Sequence, residues 1–491
     1  MGSRTGAVVM AMMLLATACG QKTGVSAQPV PPQPVTFALP PGATVDPQTG
    51  DIIDAEGNVI GNTSSLGAAA PPPAGATGAG ATRADASSAG GSAPGAGAPA
   101  AGASSAEEPT GGNATGVGDD SIVIGAHAPL TGAAPVPSDS AQKGNDVYWK
   151  WLSENRELVH GRNVEAILRN DNYNPSQAVA VCKEMVEQDQ VFLLYGFAGT
   201  DQIQACARYA AAVNVPYVSV GVTESGVVGL PNYFAATLTY AEQGPLLADL
   251  LVSDLGAAGE ANGMLRFETP NFQDAHDSFI AAMRERGAAV AYDRAVSKGA
   301  GSGDAQAVVQ EMKARGIENV YVLTSPVWFL QVLQAARTQN FEPQWVGVGI
   351  TKSIDSVASV GCRNGTLNRA KFFSPFPAWA DIQRFDPTFT KAVRSIYPDK
   401  GDGDDIMVIG WGLAKVLKPL LEAPGRNLTR ERFVYFAERA RNVRTGVYPP
   451  VSFSPDDHRG GTAVHLNEAQ CSGYKAGDNR WHTIRSFVSD F

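Results

Sequence analysis

The chain has 491 residues, 18% of them charged, and a formal net charge of −10 at pH 7. This length allows two or three domains, and the acidic balance excludes a nucleic-acid binder, which needs a basic face. The five cysteines include no Cys-x-x-Cys pair and no zinc-site spacing. We therefore expect no nucleic-acid partner, no metal and no cofactor.

The first 18 residues are predicted to be a signal peptide. Arg4 precedes an apolar run that ends at Ala18 and is too short to span a membrane. Residues 15–19, LATAC, resemble the cleavage box of bacterial lipoproteins, with the leucine one position early. We expect lipidation of Cys19, which would anchor the protein at the outer face of the cell membrane. Ordinary secretion with cleavage after Ala18 is the alternative.

Residues 19–118 are predicted to form a disordered tether. The segment 68–106 is almost entirely Pro, Ala, Gly and Ser, which is too little apolar content for a core. About 100 such residues would span roughly 55 Å as a coil. One island at 45–60 has turn signals around short apolar pairs and predicts a small hairpin.

Strands and helices alternate from Ser121 onwards, which predicts an α/β fold of right-handed parallel units. Strands are expected at 122–125 and 163–169. After the second strand, Asn174 is a good helix cap and Pro175 a good first helical residue. The chain therefore enters a doubly wound sheet.

Two neighbouring strands of this sheet end in glycine and threonine. The strand at 191–195 leads into a glycine turn and Thr200, and the strand at 217–220 leads into Gly221 and Thr223. Ligands of doubly wound sheets bind at the carboxyl ends of the strands, and a free helix N-terminus beside a threonine hydroxyl suits a carboxylate. The alternative is that Thr200 only caps its own helix.

Six segments between residues 121 and 490 resemble, in order and spacing, the type 1 periplasmic binding protein fold, in the group with leucine/isoleucine/valine-binding proteins of ABC importers. They are APLTG at 128–132, Asp-Asn-x-Asn-Pro at 171–175, Gly-x-x-x-Thr at 196–200, Ser-x-Gly-x-Thr at 219–223, Glu-Gln-Gly at 242–244 and Phe-Ser-Pro-Asp-Asp-His-Arg at 453–459. Each segment is a weak signal alone, but together they cover the whole folded part.

The resemblance implies two doubly wound parallel-sheet lobes joined by a three-crossover hinge. The first lobe is expected at 119–236 and 371–449, and the second at 237–370 and 450–491. It also implies a monomeric solute receptor that is not an enzyme and that delivers a small molecule to an ABC permease. A ligand sensor for a signalling partner and a cell-wall interaction protein are the alternatives.

Four cysteines remain besides Cys19, and an exported chain meets oxidising conditions that favour disulfides. Four cysteines allow three pairings. We favour Cys182–Cys206, on consecutive predicted helices, and Cys362–Cys471, in the other lobe. Buried free thiols are the alternative.

The resemblance also implies a ligand site between the lobes. In the first lobe it places the ligand carboxylate on Thr200, Thr223 and the backbone of Val222. In the second lobe, tyrosines that line the site in relatives align near Phe272 and near Ser325 or Pro326. These positions are the expected ligand contacts.

Val348 takes the position of the acidic residue that binds the ammonium group in amino-acid-binding relatives. A buried ammonium without a counter-charge is costly. We therefore expect a small polar or carboxylate-bearing ligand without a free α-ammonium group, unless Asp355 or Glu224 supplies the charge.

Four aromatic residues are candidates for pocket walls. Trp328, Phe329 and Trp411 fit better as core residues of amphipathic helices, whereas Tyr240 falls at a crossing between the lobes. The chain contains no Gly-x-Ser-x-Gly elbow and no His-Glu-x-x-His motif. These absences favour binding over catalysis.

Overall fold

A computed structural model describes three short N-terminal strands and residues 107–132, 134–196, 198–220, 226–352, 355–363, 365–471 and 479–490. The chain divides into two compact units, Met1–Ala101 and Gly102–Phe491. The predicted signal peptide, Cys19 and most of the tether lie outside the described residues. Within the described part, no helix combines the length and apolarity that a membrane span needs.

The N-terminal unit contains a small antiparallel sheet with β2 at its centre. Its strands are β1 (Thr44–Val45), β2 (Asp51–Ile53) and β3 (Val59–Asn62). The hairpin predicted at 45–60 is therefore confirmed, and a third strand extends it.

A five-stranded parallel sheet forms the centre of the first lobe, in the order β5-β4-β6-β7-β8. Its strands are β4 (Ser121–Ala128), β5 (Asn163–Asn170), β6 (Leu194–Gly196), β7 (Tyr217–Ser219) and β8 (Tyr233–Ala235). Successive side chains of a strand point to opposite faces, so Leu194 and Tyr217 enter one core while Tyr195 and Val218 enter the other. Both faces are buried, as a parallel sheet requires.

Helices cover both faces of this sheet. They are α1 (Ser138–Glu154), α2 (Pro175–Glu187), α3 (Thr200–Ala212), α10 (Ile382–Phe385), α11 (Pro387–Ile396), α12 (Asp405–Glu422) and α13 (Arg430–Ala437). Asn174 caps α2 as predicted, because its side chain accepts a hydrogen bond from Gln177 N at 3.1 Å. The disulfide Cys182–Cys206 joins α2 to α3, which confirms that pairing.

A seven-stranded sheet forms the centre of the second lobe, in the order β10-β9-β11-β12-β13-β14-β15. Its strands are β9 (Asn262–Phe267), β10 (Val290–Val296), β11 (Asn319–Leu323), β12 (Gln344–Val348), β13 (Lys371–Ser374), β14 (Val464–Gln470) and β15 (Arg480–Val488). The first five strands of this order are parallel, and β14 and β15 add antiparallel to the edge.

The second lobe has its own set of helices. They are α4 (Gln243–Asp249), α5 (Pro270–Glu285), α6 (Ser302–Ala314), α7 (Pro326–Thr338), α8 (Gly349–Lys352) and α9 (Asp355–Arg363). The disulfide Cys362–Cys471 joins α9 to the residue after β14, so the second predicted pairing is also confirmed. One continuous core of buried residues fills this lobe.

The chain passes between the lobes three times, after β8, after β13 and before β14. Strand β13 pairs with β12 and β14, so the return to the first lobe follows Ser374 rather than starting at residue 371. The end of the predicted tether also packs on the first lobe. Asn113 N donates to Glu431 Oε2 at 2.7 Å, and Arg430 N donates to Asn113 O at 2.9 Å. The folded part therefore begins before the expected boundary at 118.

Candidate ligand site between the lobes

A cavity of about 180 Å³ lies between the lobes, at the carboxyl ends of their strands. The first lobe contributes Pro137, Gly199 and Val220 to its wall, and the second contributes Leu238 and Pro326. Most lining residues are apolar, and none of the lining side chains in the described part of the chain is charged. The cavity therefore suits a small ligand with an apolar body.

The first-lobe wall contains the start of α3. Gly199 is the N-cap of this helix, with φ 85 and ψ 96, a conformation that glycine adopts readily and other residues do not. A glycine cap has no side chain to accept from the first N–H groups, and no side-chain cap bond is formed here. The first N–H groups of α3, at the positive end of the helix dipole, therefore have no side-chain cap.

Thr200 is the first residue of α3 and not its cap. The alternative that its hydroxyl only satisfies its own helix is therefore wrong. Its side chain is 3% exposed and stands immediately after the cavity-lining Gly199. Val222, Thr223 and Glu224 lie outside the described residues.

Gln202 adds a feature that sequence reasoning missed. Its side chain is fully buried, and neither Nε2 nor Oε1 has a hydrogen-bond partner among the described residues. A Cβ atom placed on Gly199 would lie 2.4 Å from Gln202 Oε1, so the amide packs directly against the cavity-lining glycine. No sequence pattern distinguishes this glutamine from an ordinary polar residue on a helix, because its isolation depends on packing.

The second-lobe wall contains the start of α7, which is fully capped. Ser325 is the N-cap, and its Oγ accepts a hydrogen bond from Trp328 N at 3.2 Å. Pro326 follows at the first helical position and has no N–H to satisfy. Ser325, one of the expected ligand contacts, lines the cavity, but its hydroxyl already accepts from its own helix.

Two predicted contacts lie behind the wall rather than in it. Phe272 is 2% exposed and packs against the ring of Tyr240 at a centroid distance of 5.9 Å, and Tyr240 itself lines the cavity. Val348 is fully buried in β12, and the next residue, Gly349, lines the cavity. Phe272 and Val348 therefore do not line the cavity, whereas their neighbours Tyr240 and Gly349 do.

The other large aromatic residues are core residues. Trp328 and Phe329 pack in the core of the second lobe, and Trp411 packs in the core of the first. Trp328 Nε1 donates to Gly301 O at 3.2 Å, and Trp411 Nε1 donates to Asp386 Oδ2 at 2.8 Å. The prediction that these rings are structural is confirmed.

Tyr173 is a polar residue of the first-lobe wall. Burial raises the pKa of this phenol to about 12, and the nearby carboxylates of Asp201 and Asp171 add to the shift. The phenol therefore stays neutral at physiological pH. Lys298 of the second lobe lies over its ring, 5.0 Å from the centroid.

Polar contacts join the lobes beside the cavity. Asp201, in the first turn of α3, accepts a hydrogen bond from Asn271 Nδ2 at 2.8 Å and forms an ion pair with Lys298. Elsewhere, Asp405 Oδ2 of the first lobe accepts from Asp355 N of the second at 2.8 Å. The lobes are therefore in contact across the cleft.

Asp355, one of the two candidates for an ammonium counter-charge, does not line the cavity. Its Oδ1 accepts a hydrogen bond from Trp481 N at 3.2 Å. Among the described residues, the one group of three possible metal ligands is His127 with Cys182 and Cys206. Because the two sulfurs are bonded to each other, they are not thiolate ligands.

Two α/β lobes, three crossings and a cavity between the lobes define a two-lobed binding protein. The chain belongs to the periplasmic binding protein family, whose model matches residues 121–477. This confirms the resemblance that the six sequence segments suggested.

The chain is similar to several characterised proteins. It is 27% identical over 209 residues to an amino acid binding protein of Pseudomonas aeruginosa, covering 41% of this chain and 53% of that protein. The match thus spans about half the length of this curated relative.

Two solved structures share the fold at low sequence identity. A fatty acid ABC transporter substrate-binding protein from Thermomonospora curvata has a TM-score of 0.65 and 17% identity, covering 77% of this chain and 95% of that one. An ABC transporter solute-binding protein from Rhodopseudomonas palustris, in complex with 3,4-dihydroxybenzoic acid, has a TM-score of 0.63 and 14% identity, covering 76% and 99%. At these identities the likeness shows the fold alone.

Proposed function

We propose that this protein is an extracytoplasmic receptor that binds a small carboxylate-bearing molecule between its lobes and delivers it to an ABC importer. The observation that carries the proposal is the uncapped start of α3 in the wall of an apolar cavity. Backbone N–H groups at the positive end of a helix dipole bind anions well. The family membership and the solute-binding relatives support the transport role.

The carboxylate would accept hydrogen bonds from the first N–H groups of α3 and from the hydroxyl of Thr200. The sequence resemblance adds Thr223 and the backbone of Val222 on the neighbouring strand end. All these groups belong to the first lobe.

The rest of the ligand would be mainly apolar and would not carry an α-ammonium group. None of the described lining side chains supplies a negative charge, and a buried ammonium without a counter-charge is costly. One of the three named relatives is an amino acid binding protein. The other two are a fatty acid ABC transporter substrate-binding protein and a solute-binding protein that holds an aromatic acid. Both ligands are acids with an apolar body.

The proposed location follows from the N-terminus. Lipidation at Cys19 would anchor a monomeric receptor at the outer face of the cell membrane, and the Pro/Ala/Gly/Ser-rich tether would let it reach an ABC permease. Palmitate labelling of wild type and Cys19→Ala in cells tests the anchor. An equally membrane-bound, unlabelled variant would contradict it.

Thermal unfolding of the full chain against a panel of ligands tests the binding role. The panel contains aliphatic and aromatic monocarboxylates, their amides, and free α-amino acids. A ligand at 100 times its dissociation constant adds about 2.7 kcal/mol to stability, which gives a clear shift. We expect shifts from monocarboxylates and none from their amides. Micromolar binding of leucine would overturn the proposal for the ligand class.

Uptake of a labelled hit by cells tests the transport role. We expect uptake to require both this protein and the permease. If the acid binds but uptake is unchanged when the protein is deleted, the sensor alternative replaces the importer.

A further inference from the structure

Gln243 opens α4 in the second-lobe wall of the cavity. Its side chain is 3% exposed, so the amide has almost no contact with bulk solvent. Nε2 donates to Leu238 O at 3.0 Å and to Thr239 O at 3.3 Å. The side chain is therefore held by the backbone of the crossing between the lobes.

These two bonds fix which end of the amide is the oxygen. A flipped amide would place Oε1 against two carbonyl oxygens, and neither carbonyl can donate a hydrogen bond. The remaining atom, Oε1, is buried and has no hydrogen-bond partner among the described residues. An unpaired buried acceptor destabilises a protein unless a donor reaches it.

Two other polar groups of the wall are engaged elsewhere. Ser325 Oγ is engaged with the backbone of α7, and the Thr237 hydroxyl donates to Val220 O. The wall around them is apolar and, over the described residues, carries no charge. Gln243 Oε1 is thus a buried acceptor of defined orientation, on a residue that lines a mainly apolar cavity.

We propose that Gln243 determines specificity in the second lobe, and that the ligand carries an uncharged hydroxyl or amide N–H donor on its apolar body. This inference rests on the proposed function, because it concerns the part of the ligand that faces away from the carboxylate site. A neutral acceptor pairs with a hydroxyl at no charge cost. An ammonium at the same place would need a counter-charge that the described wall lacks.

Matched ligands test the inference on the full chain by titration calorimetry. One set is benzoate, the monohydroxybenzoates and the methoxybenzoates, and the other is hexanoate, its terminal hydroxy acid and the methyl ether of that acid. In at least one set, we expect a hydroxy acid to bind about tenfold more tightly than both its parent and its methyl ether. The methyl ether separates the effect of hydrogen-bond donation from that of polarity, because it keeps the oxygen atom and lacks the O–H group.

The variant Gln243→Met removes the acceptor and keeps the length of the side chain. We expect the hydroxyl preference to fall to within about twofold, while the parent acid binds within about threefold of wild type. The matched control is Gln344→Met. Gln344 Nε2 likewise donates to two backbone carbonyls, Trp345 O at 3.1 Å and Arg369 O at 2.9 Å, but Gln344 does not line the cavity. The control should keep the full preference.

The outcomes separate the two proposals. If parent acids bind but show no hydroxyl preference, or if the preference survives in Gln243→Met, the role of Gln243 is wrong and the receptor proposal stands. If no acid of either set or of the wider panel binds, the proposed function fails and this inference fails with it. If Gln243→Met does not fold, the ligand series on wild type decides, and the absence of any hydroxyl preference overturns the inference.

Discussion

The two walls of the cavity each contain the start of a helix, but the two helix starts differ chemically. In the first lobe α3 begins after Gly199, which has no side chain to cap it. In the second lobe α7 begins after Ser325, whose hydroxyl accepts from Trp328 N, and Pro326 removes another N–H group. Of these two strand–helix turns, only the one in the first lobe leaves its helix without a side-chain cap.

This difference means that the two walls of the cavity suit different parts of a ligand. An anionic group finds N–H groups without a side-chain cap in the first lobe, and the second lobe offers a mainly apolar surface that includes Gln243. A dipolar amino acid needs an anion site and a cation site. The described walls supply the first and not the second.

The largest expected effect comes from adding a methyl group at the start of α3. Gly199→Ala places a Cβ at 2.4 Å from Gln202 Oε1 on a backbone with φ 85. We expect about 100-fold weaker carboxylate binding, because the first N–H groups are displaced, and a stability loss of about 1–2 kcal/mol from the strained conformation. Calorimetry and thermal unfolding measure the two effects.

The control for this change is Gly229→Ala. Gly229 has φ 84 and no atom within 4 Å of an added Cβ, and it does not line the cavity between the lobes. The Gly229→Ala variant should lose a similar amount of stability and bind the carboxylate as tightly as wild type. Equal losses of affinity in both variants would mean that backbone strain, and not the helix start, controls binding.

The next largest effect is expected from removing the hydroxyl groups of Thr200 and Ser325, one at a time. Thr200→Ala removes a proposed ligand donor, so we expect about tenfold weaker carboxylate binding with little change in stability. Ser325→Ala removes the α7 cap, so we expect a stability loss of about 1 kcal/mol and affinity within about twofold. Weaker carboxylate binding in Ser325→Ala with unchanged binding in Thr200→Ala would indicate that the carboxylate site lies in the second lobe. Both variants are compared with wild type by calorimetry and chemical denaturation.

A smaller effect concerns the contact between the lobes. Lys298→Met leaves the Asp201 carboxylate unpaired at the start of α3, so we expect about fivefold weaker binding of an anion. Asp201→Asn also breaks the ion pair but removes the repelling charge, so we expect a loss of about twofold. The pair is partly exposed, which keeps both effects modest.

The control for this pair is Arg394→Met, which breaks an exposed ion pair with Asp402 inside the first lobe. It should bind like wild type. Identical losses in Lys298→Met and Asp201→Asn would show that the pair acts only as a contact between lobes. Calorimetry at low and physiological salt resolves the charge contribution.

The smallest effect is the pH dependence. Because burial raises the pKa of Tyr173 to about 12, the neutral phenol is favoured in the folded state. Its contribution to stability is complete below about pH 10 and is lost as the pH rises through about 12. Carboxylate affinity should therefore be flat from about pH 6 to 9, as measured by calorimetry in wild type and Tyr173→Phe. A fall in affinity above pH 8 that disappears in Tyr173→Phe would contradict this.

Much of the fold could be read from the sequence because its signals are local or carried by spacing. The alternation of strands and helices, with the Asn174 cap, predicted the parallel sheet. The cysteines on consecutive helices favoured the Cys182–Cys206 disulfide. The structure confirms both. The boundary of a lobe could not be predicted from local signals. Residues 371–374 could either cross to the first lobe or form a strand of the second sheet, and the neighbouring strands decide between the two. They form β13 of the second sheet because β12 and β14 lie beside it.

For the candidate site as well, some features follow from the sequence and others only from the tertiary structure. The sequence by itself determined that glycine and threonine follow the strand ends, and this pattern predicts the carboxylate side at Thr200. Only the tertiary structure decided that Gly199 is the cap and that Phe272 and Val348 do not line the cavity. It also decided that Gln202 and Gln243 have amide atoms without a hydrogen-bond partner among the described residues. Backbone conformation follows from nearby residues, whereas the exposure and pairing of a side chain depend on which distant segments pack against it.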